Sequence, residues 1–365
     1  MAYQRQRPRR NLRRWLLPVG LLSAALGYFS RQWSAETPFV WVVTAADGIM
    51  ATPTRWAGVL YFGADDGCVY AVDAHTGTLL WKFAQAFPVR TTPALAQGLV
   101  FVGTDAGVLY ALDAVTGEVE WKATAGGPIR SSPQYSQGTV YFGSDEGVIW
   151  ARDAMSGELR WKRALGESLS TPVAVAGTSL YLTTGAGRVI ALSVADGSPR
   201  WEASFPANHL TAPLLVGDEM YIGTDRGGLY AISLVQGETR RVATVPHAIT
   251  TPLMGWEGYL YFGTRGARVY AYDLHRGKLI WETAVLGPVY APFWITGTTL
   301  YVADMSGHLS VLGTERGELL EQIDLQGILT AGPLGDARYL YFATWTGEVG
   351  TLTPNLLGIS GKVRR

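Results

Sequence analysis

One segment, Val108 to Lys122 (VLYALDAVTGEVEWK), recurs along this chain with little drift. VYAVDAHTGTLLWK begins at Val69, VIWARDAMSGELRWK at Val148, RVIALSVADGSPRWE at Arg188 and RVYAYDLHRGKLIWE at Arg268. Turn glycines stand at Gly77, Gly117, Gly157, Gly197, Gly237, Gly277 and Gly317, and a ring-bearing ladder keeps the same step: Tyr61, Phe101, Tyr141, Tyr181, Tyr221, Tyr261, Tyr301 and Tyr341. Self-similarity at a step of about forty residues means repeated supersecondary units that bury their faces only by stacking on their neighbours.

Each unit reads as short apolar runs broken by turn residues. Val100 to Gly103 is β-rich, Thr104 to Gly107 is a turn, and Val108 to Leu112 alternates with period two, the pattern of a half-buried strand. Asp113 to Gly117 closes a hairpin, because Asp accepts from the backbone two residues on and Gly supplies positive φ. Glu118 to Ala123 returns as an outer strand, and Thr92 to Leu95 opens the inner one. Four strands of about six residues and four turns of about four fill one propeller blade. No repeat shows the 3.6-residue period of a helix, which argues against helical solenoids and horseshoes. The expected fold is an all-β propeller of four-stranded antiparallel blades.

The tyrosine ladder counts eight blades, the eighth lacking its outer strand near Leu352. Trp41, in the run 39–43, stands one step before Trp81, so this strand is expected to pair antiparallel with 347–352 and close the ring. Closure removes exposed edges. Trp occupies the ladder at Trp41, Trp81, Trp121, Trp161, Trp201 and Trp281, and Arg241 and Glu321 interrupt it. A tryptophan repeated at one blade position reads as packing against the next blade, with an N–H that needs a partner. Blades five and seven are then expected to be the loosest, or to face a partner.

The motif LYALDAxTGxxxW, as it stands at Leu109 to Trp121, resembles the pyrroloquinoline-quinone (PQQ) repeat. The resemblance covers Phe39 to Leu352 and implies an eight-bladed propeller with docking tryptophans. Quinoprotein dehydrogenases and non-catalytic propellers share that repeat; compact blades without long insertions look most like the BamB-type, non-catalytic group. WD40 repeats share the period, but their Gly-His and Trp-Asp pairs do not recur here.

Before the blades come six arginines in residues 1–14 (Arg5, Arg7, Arg9, Arg10, Arg13, Arg14), then the apolar run 15–29 and a polar tether, 30–38. A basic head before an apolar run is the layout of a secretion signal. The small-residue site Ser23-Ala24-Ala25 lies inside the run, so an uncleaved anchor in the inner membrane is the preferred reading over a cleaved signal. The arginines would then stay cytoplasmic and the propeller, 39–355, would be periplasmic. A tail, 356–365, follows. No cysteine follows the apolar run, a departure from BamB-type lipoproteins; the only cysteine is Cys68.

Formal net charge is zero from 30 basic and 30 acidic residues. Setting aside the six N-terminal arginines leaves 24 basic against 30 acidic, so the remainder is mildly acidic and has no electrostatic reason to bind nucleic acid. The aspartates mostly repeat at turns: Asp65, Asp105, Asp145 and Asp225 before one glycine, Asp73, Asp113, Asp153 and Asp273 before the other. A single catalytic site would not repeat around a ring, so these read as turn residues. His75 and His275 share a hairpin tip, and no zinc spacing, nucleophile elbow or phosphate loop is present. A quinoprotein would need a calcium site with several oxygen ligands and, as that family implies, often a vicinal cysteine pair. No catalytic, cofactor or metal residue is therefore assigned.

What remains are residues that break the repeat. Arg90 and Arg130 precede inner strands near the channel mouth, where either pairing with channel acids or water or contact with a partner would occupy them; Tyr290 and Trp294 make blade seven aromatic, and Trp345 lies off the ladder in blade eight. Arg, Tyr and Trp are the residues enriched in interface hot spots. The expectation is a monomeric, non-catalytic scaffold docking a membrane protein or envelope-assembly complex through these five. The alternatives are a PQQ-dependent dehydrogenase or a ligand-sensing propeller.

Overall fold

In the computed structural model, residues 39–336 and 338–353 are described. The head, apolar run, tether and tail expected at 1–14, 15–29, 30–38 and 356–365 lie outside them. Among the described residues no helix is long and apolar enough to cross a membrane.

The described chain forms 32 strands, β1 (Phe39–Thr44) to β32 (Glu348–Leu352), in eight four-stranded antiparallel sheets. Blade two is typical: β6 (Ala94–Ala96), β7 (Leu99–Gly103), β8 (Val108–Asp113) and β9 (Val119–Thr124). Blade eight takes β30 (Leu334–Gly335), β31 (Leu340–Ala343) and β32 from one end of the chain and β1 from the other. The closing register runs from Phe39 opposite Leu352 to Thr44 opposite Glu348, so the expected ring closure is present. Further bonds join the two ends, including Thr330 Oγ1 to the Ile49 carbonyl at 2.8 Å.

Strand alternation assigns each connection to a face. Links from an outer strand to the next inner strand, and from second to third strand, share one face, here the mouth face. The links from first to second and from third to fourth strand lie on the opposite, hairpin face.

Side chains between blades form the core. One cluster joins Tyr61, Val69 and Val89 of blade one to Val100, Val102 and Leu112 of blade two, and others repeat it around the ring. The tryptophan ladder crosses each seam where it is present. Trp81 Nε1 donates to the Ala114 carbonyl at 3.1 Å, and Trp41, Trp121, Trp161, Trp201 and Trp281 each donate 33 residues ahead into the next blade's hairpin. Four of the hairpins are held by Asx turns; in blade two Asp113 Oδ1 accepts from the Val115 and Thr116 amides at 2.8 Å each. Here the expected turn role of Asp73, Asp113, Asp153 and Asp273 holds.

The hairpin glycine has two reasons to be glycine. Gly117 has φ 75°, and a Cβ there would lie 2.6 Å from the Trp81 ring. Gly277 has φ 63° but faces no tryptophan; its nearest neighbour would be the Tyr272 hydroxyl at 3.7 Å. Replacing Gly277 by Ala should therefore cost only the left-handed backbone term, about 1 kcal/mol. Gly117→Ala adds an aromatic clash and should cost about 2 kcal/mol more. Urea unfolding of the two variants checks this, and equal losses would mean the ring contact contributes nothing.

Candidate functional site

At the channel mouth two ladders meet. One precedes each inner strand and holds Arg90, Arg130, Ser170, Leu210, Thr250 and Tyr290; the other, in the second-to-third-strand turns, holds Asp65, Asp105, Asp145, Asp225, Arg265 and Trp345. Over blades one to three these ladders form a continuous ionic arc. Arg90 Nε donates to Asp65 Oδ1 at 2.8 Å and Nη1 to Asp105 Oδ2 at 2.9 Å. Arg130 Nη1 is hydrogen-bonded to Asp145 Oδ2, and its Nε lies 3.5 Å from Asp105 Oδ1.

Asp65, Asp105 and Asp145 are thus not turn caps. Each arginine joins the carboxylates of two adjacent blades, while the turns close on a threonine ladder: Thr104 Oγ1 accepts from the Val108 amide at 3.2 Å, and Thr224 Oγ1 from the Gly228 amide at 2.9 Å. Sequence reading missed this ladder, although Thr104, Ser144, Thr184, Thr224, Thr264 and Thr344 repeat at the forty-residue step. Arg90 and Arg130 are not free cations, because each has carboxylates on both sides. Hydrogen bonding to Asp65 holds the Arg90 guanidinium above its ordinary pKa despite partial burial. Burial pushes the Asp145 carboxyl up, against the pull of Arg130.

On the links that follow blades six and seven, and in the turn of blade eight, the mouth presents apolar side chains. Tyr290 and Trp345 are 41% and 48% exposed, with Leu286 at 58% and Ile328 at 43% on the adjoining loops. The Trp345 amide donates to the Ile328 carbonyl at 2.9 Å, which joins the loop and turn that present them. Trp294 differs from these neighbours: it is half-buried in β26 (Trp294–Thr296), with its indole packed against Gly335 of blade eight. Sequence reading did not single out Leu286 and Ile328, since single apolar residues in loops carry no periodic signal.

Cys68 does not provide a reactive thiol. It is buried, and burial together with the Asp66 charge pushes its pKa up, the opposite of what a nucleophile needs. Among the described residues no group of three or more His, Cys, Asp or Glu side chains could hold a metal ion. A calcium–quinone pair needs convergent free oxygen ligands. The three mouth aspartates over blades one to three instead face guanidinium groups, and Asp225 stands apart from them in blade five, so these carboxylates do not converge as that cofactor's cation requires.

Removing the Arg130 charge tests the arc. Burial already raises the folded-state pKa of Asp145, so this group favours folding below the ordinary aspartate pKa and opposes it as pH rises past that value. Arg130→Gln removes the counter-charge and should raise that pKa further. The variant should lose more stability at pH 7 than near pH 4. Equal losses at the two pH values in chemical denaturation would contradict the arrangement.

Among solved structures the fold is similar to BamB from Moraxella catarrhalis, with TM-score 0.74 and 19% identity over 86% of this chain and 99% of that one. It is also similar to the computationally designed Ika8 protein, with TM-score 0.75 and 18% identity over 85% and 97% of the two chains. The quinohemoprotein alcohol dehydrogenase from Comamonas testosteroni gives TM-score 0.73 and 16% identity over 90% and 77%. At these identities the likeness concerns the fold alone. No curated protein matches the chain. A family model does match, over residues 65–165, 145–241 and 243–327, well beyond half of the sequence. By that match the chain belongs to the PQQ-repeat family described as outer membrane protein assembly factor BamB.

Proposed function

We propose that this protein is a non-catalytic propeller scaffold of the bacterial cell envelope that docks an outer-membrane assembly partner through its mouth face. The observation that carries the reading is the apolar sector formed by Leu286, Tyr290, Ile328 and Trp345 on neighbouring mouth loops, apart from an ionic arc whose arginines and aspartates pair with one another. Exposed aromatic and aliphatic side chains presented from rigid loops are what interface centres are built from. The family's description supplies the class of partner, an outer-membrane assembly complex.

In this reading the sequence-derived candidates divide. Tyr290 and Trp345 make direct contact; Arg90 and Arg130 shape the neighbouring rim through Asp65, Asp105 and Asp145; Trp294 packs the seam between blades seven and eight. The propeller acts as a monomer on the periplasmic side, held at the inner membrane by residues 15–29. A dehydrogenase reading has the quinohemoprotein likeness in its favour, but three of the mouth carboxylates, Asp65, Asp105 and Asp145, are engaged by arginines.

Gentle detergent extraction of the tagged full-length protein, followed by mass spectrometry, tests the proposal. A stoichiometric outer-membrane assembly component should co-purify. The Ile328→Ala/Trp345→Ala variant should recover it at least about tenfold less well, in line with loss of two hot-spot side chains, while keeping the wild-type thermal midpoint. Recovery of a lone propeller, or full recovery by the variant, would overturn it.

A further inference from the structure

Between the ionic arc and the apolar sector, the mouth holds a cavity of about 390 Å³ spanning blades four to seven. That volume is in the range of small-molecule sites. Its walls carry Asp225 and Arg265 from successive second-to-third-strand turns, with His209, Leu210, Thr250 and Tyr290 from the inner-strand leads.

Asp225 and Arg265 occupy the ladder position that Asp65, Asp105 and Asp145 hold in the arc, but they are not neutralised. Arg265 makes no ion pair and no side-chain hydrogen bond among the described residues, and it is exposed. Asp225 forms no ion pair there either; its oxygens accept only from the Asn208 amide, at 3.3 Å each. The two opposite charges line one cavity without meeting.

We propose that this cavity binds a zwitterionic ligand of amino-acid size, its carboxylate toward Arg265 and its ammonium toward Asp225. A simple anion placed here would face Asp225 and a simple cation would face Arg265, so each loses by repulsion part of what it gains by attraction. A ligand carrying both signs pairs with both, and its side chain lies against Leu210 and the Tyr290 ring. The walls are fixed in advance. Leu210 and Ile249 form isolated β-bridges to Thr224 and Thr264, next to the charged turns, and the Thr211 amide donates to the Gly223 carbonyl at 2.9 Å. A site held by backbone bonds loses little order on binding.

Three probes separate the charges: L-phenylalanine, N-acetyl-L-phenylalanine without the ammonium, and L-phenylalaninamide without the carboxylate. Ligand-observed NMR on the full chain near pH 6, where both free amines are protonated, reads the affinities. L-phenylalanine should bind about fivefold or more tightly than either analogue. Arg265→Gln should erase its advantage over the amide, and Asp225→Asn its advantage over the acetylated probe. Arg265→Lys, which keeps the charge, should retain part of the preference and guards against a misfolded variant. Equal binding of the three probes, no binding of any, or preferences unchanged in both neutralised variants would overturn the proposal. None of these readouts depends on a protein partner.

Discussion

A single hydrogen bond, repeated around the ring, holds successive blades in register: an indole N–H of one blade to a hairpin carbonyl of the next. In three seams the same carbonyl takes a second donor. Tyr61, Tyr181 and Tyr261 place their hydroxyls on Ala114, Leu234 and Thr314, the carbonyls that already accept from Trp81, Trp201 and Trp281. The tyrosine and tryptophan rings also touch, with centroids 5.8 Å apart in each of the three. A buried carbonyl with two lone pairs filled, roofed by two aromatic rings, leaves the hairpin one position to occupy. The hairpin glycine follows from this, because the indole lies where a side chain would be.

The two interruptions of the ladder obey the same geometry. In blade five, counting by forty puts Arg241 in the lock position, but the pairing does not. The bulge there falls between Leu229 and Tyr230, whereas in blade two it falls between Ala111 and Leu112, so Arg240 rather than Arg241 stands opposite Ala231. Arg240 binds both oxygens of Glu219, at 2.9 and 2.8 Å, and Glu219 also accepts from Tyr221 at 2.6 Å. At this position a cluster within blade five, one ion pair and a tyrosine hydroxyl on the same carboxylate, stands where other blades send an indole across the seam. In blade seven Glu321 does stand opposite Val311 in the lock position. Its target would be a hairpin between the third and fourth strands of blade eight, but those strands come from opposite ends of the described chain. No short hairpin joins them to offer a carbonyl, and one Glu321 oxygen lies buried without a partner among the described residues, its pKa raised by burial.

These cases mark how far the sequence was legible. Repetition disclosed the blade, the number of blades and the closing strand, because each repeat samples the same contacts and only side chains that make them survive the averaging. It disclosed the role of Asp113, whose partners lie two and three residues away. It misassigned Asp105, whose partners Arg90 and Arg130 lie in other turns of the chain. Both aspartates stand in turns shortly before a glycine, and the threonine and arginines that give Asp105 a different role carry no local signal at that position. Bulge placement was illegible for a related reason: it shifts pairing by one residue without changing the spacing of the glycines. The pairing of Arg90 and Arg130 with channel acids was one of two readings the sequence left open.

The same averaging explains why the mouth, rather than the hairpin face, carries the candidate site. On the hairpin face, each third-to-fourth-strand loop that receives a tryptophan must keep its glycine beneath the indole, which limits what the loop can vary. At the mouth, backbone bonds such as Thr104 amide to Val108 carbonyl and Ile129 amide to Thr104 carbonyl hold the turns. The outermost turn residue is then free of any structural duty. One scaffold can therefore present Asp105, Arg265 or Trp345 at equivalent points without changing its fold. An ionic arc, an amphoteric cavity and an apolar sector follow one another around a single rim because backbone geometry fixes where each side chain stands and leaves its chemistry open.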